Sequence, residues 1–305
     1  MSAGRSTISR GRCRRKSKAA PPYNTGVELG VVQPEGPHCD WPAWEPPVDV
    51  PMVGDEGRPC SYLPGKLART RAFWGGGMGG ELYQRFMDAG FRRSGKVVYQ
   101  PVCPGCRACL PIRVPVESFR PSKSQRRCWR RNSDVLVTVD RPEATGEKFE
   151  LYGRYQDQWH GKTPAEEGDR DQRWASFASF LYDSPVETAE FLYRDAAGKL
   201  LGAGLCDLSL KSLSSVYFYF DPAEARRGLG TYSAMYEIAQ ARRLGLPYYY
   251  LGYWVRGCAA MEYKANFRPC EVLWPDGQWR RGLEEKYDEE AEGRGNNPPQ
   301  QRDEV

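Results

Sequence analysis

Between Glu190 and Trp274 the chain sets out an order of segments that few folds can satisfy. Glu190 to Arg194, Gly202 to Leu208 and Ser215 to Phe220 read as three strands joined by short turns, the first at Ala196-Ala197-Gly198-Lys199, which predicts an antiparallel meander. Asp221-Pro222 ends the third strand. The stretch Arg226-Arg227-Gly228-Leu229-Gly230-Thr231-Tyr232 then opens a helix carried by Met235, Ile238, Ala239 and Arg242 and closed at Leu244-Gly245. Tyr248 to Trp254 predicts a further strand, Ala259 to Ala265 a short helix, and Cys270 to Trp274 a last strand.

A meander, a helix with a glycine-rich start, then strand, helix and strand is the order of the GNAT acyltransferase fold. The expected fold class is therefore α+β, with a GNAT-like acyltransferase domain over residues 141–282 and a smaller cysteine-containing N-terminal module over residues 60–140. In such a domain the turn at Gly228 and Gly230 offers backbone N–H groups to the phosphates of an acyl carrier. The position at the start of that turn usually filled by Gln or Arg is Ala225, which argues against ordinary acetyl-coenzyme A binding. Residues 1–59, basic at the start and rich in Pro and Gly from Ala20 to Pro59, read as an irregular or disordered extension, and residues 283–305 as an acidic tail. The net charge of +5 hides this asymmetry. No run of eighteen apolar residues is present and the start lacks the apolar stretch of a secretory signal, so no membrane partner and a cytoplasmic location are expected. Ten cysteines in such a chain read as reduced thiols or metal ligands rather than as a disulfide framework.

The N-terminal module carries the densest chemistry. The glycine run from Trp74 to Gly80 reads as a linker ahead of a ligand-side loop; Leu82, Tyr83, Phe86 and Met87 mark a helix ending at Ala89-Gly90, and Phe91 to Gly95 a turn. Cys103, Cys106 and Cys109 form a C-x-x-C-x-x-C array between short strands at Val97–Tyr99 and Ile112–Val116, the second held to an edge or made irregular by Pro111 and Pro115. With Cys60 they would make four ligands for a structural zinc or iron–sulfur cluster, although the tripled spacing is not that of a standard zinc ribbon. Ser122 then caps a helix, with Gln125 three residues on as a capping box requires. At about 100° per residue, Lys123, Arg126, Arg127, Arg130 and Arg131 fall within an arc of roughly 140°, with Cys128 and Trp129 on the other side. Five cations with no acid among them repel each other, which suits a phosphate-binding face better than a merely solvated one. The chain has two histidines, so a histidine-based mechanism would rest on His160 rather than on His38 in the irregular region.

Several spaced motifs in one order resemble the bacterial aspartate/glutamate leucyltransferases, relatives of the eukaryotic arginyl-tRNA protein transferases. They are Cys60-x-Tyr62, Gly90-Phe-Arg-Arg-Ser-Gly95, Tyr99-x-Pro-x-Cys-x-x-Cys106, Ser122-Lys-Ser-Gln-Arg-Arg127, Tyr219-Phe-Asp-Pro222, Leu229-Gly-Thr-Tyr232, Tyr248 to Trp254, and Met261-x-Tyr-Lys264. The resemblance runs from Cys60 to about Trp279. It implies transfer of an amino acid from a charged tRNA, here leucyl-tRNA, to the N-terminal amine of a protein beginning with Asp or Glu, which marks that protein for degradation. An arginyl-tRNA donor, an acetyl-coenzyme A dependent N-acetyltransferase and a metal-stabilised RNA-binding protein are the alternatives.

An aminoacyl ester is already activated, so the transfer itself requires no cofactor. The enzyme must bring a neutral amine to the ester carbonyl, stabilise the tetrahedral oxyanion and protonate the departing ribose oxygen. Asp221, at a strand end, is the candidate to hold or deprotonate the amine; it is also a common turn residue. Tyr219, Tyr250 and Tyr253 are candidate donors to the oxyanion or the leaving oxygen, as is Lys264. Lys264, Arg113 or Arg256 can pair with the acidic side chain of the acceptor.

Overall fold

The computed structural model describes residues 46–161 and 168–283. Most of the expected N-terminal extension, with Cys13, His38 and Cys39, and the acidic tail from residue 284 lie outside the described residues.

The first part forms a small sheet. Its strands β1 (Val53–Gly54), β4 (Thr70–Trp74), β5 (Arg92–Ser94) and β6 (Val97–Pro101) lie in the order β1-β4-β6-β5, next to a two-stranded ribbon of β2 (Arg58–Pro59) and β3 (Leu67–Ala68). Helix α1 (Gly80–Asp88) follows β4 and buries Tyr83, Phe86 and Met87. The glycine run before α1 is not a slack linker. Met78 N–H donates to Pro185 O at 2.7 Å and Gly75 N–H to Lys96 O at 2.8 Å, and a Cβ on Gly75 would stand 2.9 Å from Pro185 Cβ, so at that one position of the run a side chain is crowded out.

The remaining elements are β7 (Cys109–Pro115), α2 (Lys123–Arg131), β8 (Leu136–Asp140), α3 (Gly146–His160), α4 (Arg170–Phe177), β9 (Thr188–Arg194), β10 (Leu200–Leu208), β11 (Ser212–Phe220), α5 (Leu229–Arg243), β12 (Tyr248–Val255), α6 (Ala259–Glu262), β13 (Glu271–Leu273) and β14 (Trp279–Arg281). The expected meander is present as β9, β10 and β11, paired antiparallel. It continues through α5 into β12, which runs parallel to β11. The chain thus carries a GNAT-like domain.

Its sheet is larger than expected. Eight strands lie in the order β14-β13-β7-β12-β11-β10-β9-β8, so the boundary placed at residue 140 separates no two sheets: β7 and β8 from the first half are built into the second. Nor is β7 at an edge, since it pairs with β12 over its whole length and with β13 at Ile112 and Arg113. Pro111 and Pro115 fall outside that short β13 pairing, so neither is called on to donate there.

One irregularity shapes the site. The parallel pairing of β11 and β12 is confined to Ser212, Leu213 and Ser214 against Tyr248, Tyr249 and Tyr250. Beyond it the two strands part, and β12 shifts its register against β7 between Tyr250 and Gly252. Gly252 adopts φ +83°, a conformation that side chains resist, and lets the strand bend away. Among the described residues no helix is long and apolar enough to cross a membrane.

Candidate active site

A cavity of about 660 Å³ occupies the gap between the splayed ends of β11 and β12. Ser214 to Phe218 form one wall and Leu251, Gly252 and Tyr253 the other, with Gly230 and Ser233 of α5 and Trp159 and His160 at the end of α3 closing further sides. The first half of the chain supplies Tyr62, Tyr83, Arg92, Arg93 and Tyr99, and the turn after α6 supplies Tyr263 and Lys264.

Of the five residues expected to do chemistry, Tyr253 and Lys264 line this cavity. Lys264 Nζ donates to the carbonyl of Tyr253 at 2.9 Å and lies 3.6 Å from where a Cβ on Gly252 would sit. Burial, and then the positive charge of Arg92, push its amine down to about 7. A lysine so tuned exchanges a proton near neutrality, as general acid–base work demands. Tyr253 has a narrower part than expected: its single O–H donates to Gly90 O at 2.8 Å, so it walls the cavity and has no proton left for an oxyanion.

Asp221 and Tyr219 do not reach the cavity lining. Asp221 caps the turn after β11, accepting from Ala223 N–H at 3.1 Å, and pairs with Lys199 at 3.0 Å. Burial works against its ionisation, but Lys199 and the Ala223 N–H hold its carboxyl below the usual range, which makes it a poor base. Tyr219 is turned away from the lining: its hydroxyl meets that of Tyr182 at 2.9 Å and its ring packs on Tyr152. Tyr250 is turned the same way out of the lining, with its hydroxyl on Asp88 at 2.5 Å and on Arg113 at 3.0 Å. Arg113 is spent on Glu271 and Asp88, 2.9 Å each, and clamped between the rings of Tyr248 and Trp279 at 3.8 and 4.0 Å, so it is a strut between strands rather than a ligand for substrate.

The glycine turn divides its two residues. Gly228 takes φ +68° as the N-cap of α5, while Gly230, one step into the helix, lines the cavity.

Helix α2 is formed by the expected capping box: Gln125 N–H donates to Ser122 Oγ at 3.2 Å and Ser122 N–H to Gln125 Oε1 at 2.8 Å. Lys123, Arg126, Arg127, Arg130 and Arg131 are all exposed. They do not line the cavity; α2 packs on α5, the helix whose first turn does. Cys128 is buried as expected, whereas Trp129 is 40% exposed, stacked on Tyr236 and facing a second hollow of about 370 Å³ with Arg126, Arg130 and Arg242.

Cys60, Cys103, Cys106 and Cys109 are thiols outside any disulfide. Burial, then the proximity of Cys103, Cys106 and Cys60, push the Cys109 thiol up to about 12. Cys60 Sγ accepts from the N–H groups of Tyr62 and Leu63 at 3.4 Å each, and Cys103 Sγ from Arg69 N–H at 3.4 Å. Four sulfurs suit zinc or an iron–sulfur cluster by type. As placed, however, no group of three or more His, Cys, Asp and Glu among the described residues converges to hold a metal ion, so no step below runs through one.

Sequence reasoning passed over Arg92, Arg93, Tyr62 and Tyr99. The signal was there: Phe91 to Gly95 lies inside a quoted motif, yet it read as a turn, and only the fold carries that turn, as β5, to the cavity.

The chain matches the family model of the arginine-tRNA-protein transferase N terminus over residues 58–127 and that of the C terminus over residues 147–274. It is 43% identical over 223 residues, 72% of this chain and 84% of the relative, to the aspartate/glutamate leucyltransferase of Gluconacetobacter diazotrophicus. To the protein of the same description in Hahella chejuensis it is 41% identical over 219 residues, 72% of this chain and 92% of the relative. Among solved structures it is similar to the C-terminal domain of a putative lysylphosphatidylglycerol synthetase from Agrobacterium fabrum, with a TM-score of 0.39 and 14% identity over 69% of this chain and 65% of that one.

Proposed function

This chain belongs to the arginine-tRNA-protein transferase family, and from that premise we propose that it transfers leucine from leucyl-tRNA to the N-terminal amine of proteins beginning with Asp or Glu. The observation that carries the reading is the cavity with Lys264 inside it. It is of a size that small-ligand sites have, it opens at a strand splay beside a helix N-terminus, and its one lysine is tuned to near neutrality.

In the mechanism we infer, the aminoacyl end of the tRNA enters between β11 and β12. Neutral Lys264 Nζ takes a proton from the acceptor's α-ammonium, and the freed amine attacks the ester carbonyl carbon. The C–N bond forms, the oxyanion collapses, the ester C–O bond breaks, the ribose oxygen leaves with the proton that Lys264 now carries, and the new amide nitrogen sheds its surplus proton to water. No cofactor enters this balance. The reaction takes place in the cytoplasm, where charged tRNA is made, and commits the tagged protein to degradation.

The test offers the protein labelled leucyl-tRNA, arginyl-tRNA or acetyl-coenzyme A with peptides beginning in Asp, Glu or Ala. Label is expected on the Asp and Glu peptides, from leucyl-tRNA alone. Label from acetyl-coenzyme A, or none from any donor, sinks the reading.

The exposed cations of α2 are proposed to hold the tRNA backbone. Replacing Arg127 and Arg130 together by Ala is expected to weaken tRNA binding about tenfold and to reduce the slope of log affinity against log salt by about 1 to 2. Filter binding between 50 and 300 mM salt checks this, and an unchanged slope returns α2 to a solvated surface.

A further inference from the structure

Three arginines are buried around the junction of the small and large sheets, and their circumstances differ. Arg93 grips Asp207 with two nitrogens, Nε and Nη2, at 2.6 Å each. Arg113 holds Glu271 and Asp88. Arg92 is 5% exposed and, among the described residues, makes no salt bridge. Its Nη1 donates to the carbonyls of Phe91 and Met87 at 2.5 and 3.2 Å, while its Nε and Nη2 have no hydrogen-bond partner.

A guanidinium removed from water with two of its donors unmet is costly unless something else meets them. The rings of Tyr250 and Tyr253, 4.9 and 5.6 Å from its centre, keep the surroundings apolar and compensate only in part. Arg92 also lines the cavity, on the side where Lys264 and Tyr253 stand, and its charge is felt by the Lys264 amine. A group with these properties is built for an anion that arrives with the substrate. A carboxylate one or two carbons from an α-amine would reach such a cation while the amine faces its base.

Resting on the leucyl-transfer reading above, we propose that Arg92 receives the side-chain carboxylate of the acceptor's first residue and is the residue that restricts the enzyme to Asp and Glu. A guanidinium presents its donors as a flat fork, which can donate to both oxygens of a carboxylate but only to the carbonyl oxygen of the amide of Asn or Gln, whose NH2 it leaves facing another donor. The same fork can follow a carboxylate moved by one methylene, so one arginine serves both Asp and Glu.

The test measures kcat/KM of wild type and Arg92→Met with labelled leucyl-tRNA and peptides differing only in a first Asp, Glu or Asn. Wild type is expected to favour Asp and Glu over Asn by about a hundredfold or more, and the variant to lose most of that ratio by losing the acidic peptides and not Asn. Affinity for leucyl-tRNA is expected to stay unchanged. Arg92→Lys, which keeps the charge without the fork, is expected to fall between the two and covers the case in which the methionine variant fails to fold. An unchanged Asp to Asn ratio in both variants overturns the proposal. So does a loss of leucyl-tRNA affinity, which would make Arg92 a phosphate ligand. A wild-type protein that transfers no leucine to any peptide overturns the underlying reading instead, before any variant is made.

Discussion

Replacing Lys264 by methionine is expected to lower the rate of leucyl transfer about a thousandfold while leaving leucyl-tRNA bound. Methionine keeps the length and the apolar stem and removes an amine that the cavity holds near neutrality. The pH dependence makes the test specific. With its amine at about 7, Lys264 acts as a base only above that pH, and above about 8 the acceptor's α-ammonium no longer brings the proton that Lys264 passes on, so wild-type kcat/KM should climb through pH 7 and stop climbing beyond 8. The variant should lose the rise at 7 and climb only near 8, where the α-ammonium loses its proton unaided. Misfolding does not mimic this result. A lysine whose folded pKa lies below its unfolded one binds fewer protons in the folded chain between about pH 7 and 10, so its burial costs stability at neutral and lower pH and ceases to cost as pH rises through that window. The methionine variant is therefore expected to be at least as heat-stable as wild type at pH 6. A variant that retains wild-type rates at pH 7, or still rises there, removes Lys264 from the reaction.

How much of this could be read from the sequence follows the distance over which each feature is decided. The capping box at Ser122 and Gln125 was legible because three residues suffice to make it, and the meander because its turns are short. Residues 109–115 looked like an edge strand because their partners, at 248–255 and 271–272, come more than a hundred residues later. The candidate site was half legible for the same reason. Lys264 and Tyr253 both reach the cavity, Tyr253 with its hydroxyl spent on Gly90. Tyr219 and Asp221 carry equally plausible chemistry, but the hydroxyl of one is engaged with Tyr182 outside the lining and the other is consumed in capping its own turn. Which side chain of a strand meets a ligand is set by what lies on each face, and that is not written locally. Arg92 shows the converse: it passed for a turn residue because neither the unmet donors nor the neighbouring lysine exists until β5 docks.

That docking rests on a buried polar knot, and breaking it is the second large effect to expect. Arg93 and Asp207 are fully buried, Tyr83 donates to the same carboxylate at 2.6 Å and Thr188 at 2.8 Å. The knot joins α1 and β5 of the small sheet to β9 and β10 of the large one. Removing one partner of such a pair leaves the other charged in a place without water, and Arg93→Ala is expected to cost about 3–5 kcal/mol and to lower Tm by about 10 °C. The paired replacement Arg93→Met with Asp207→Leu should cost much less than the sum of the two single changes, because no orphaned charge remains. Calorimetry of the four proteins decides it. If the single changes add, the pair is only a contact among many. If the double variant recovers most of the stability but transfers leucine poorly, the knot is present less to hold the two sheets together than to fix where Arg92, one residue before Arg93, points into the cavity.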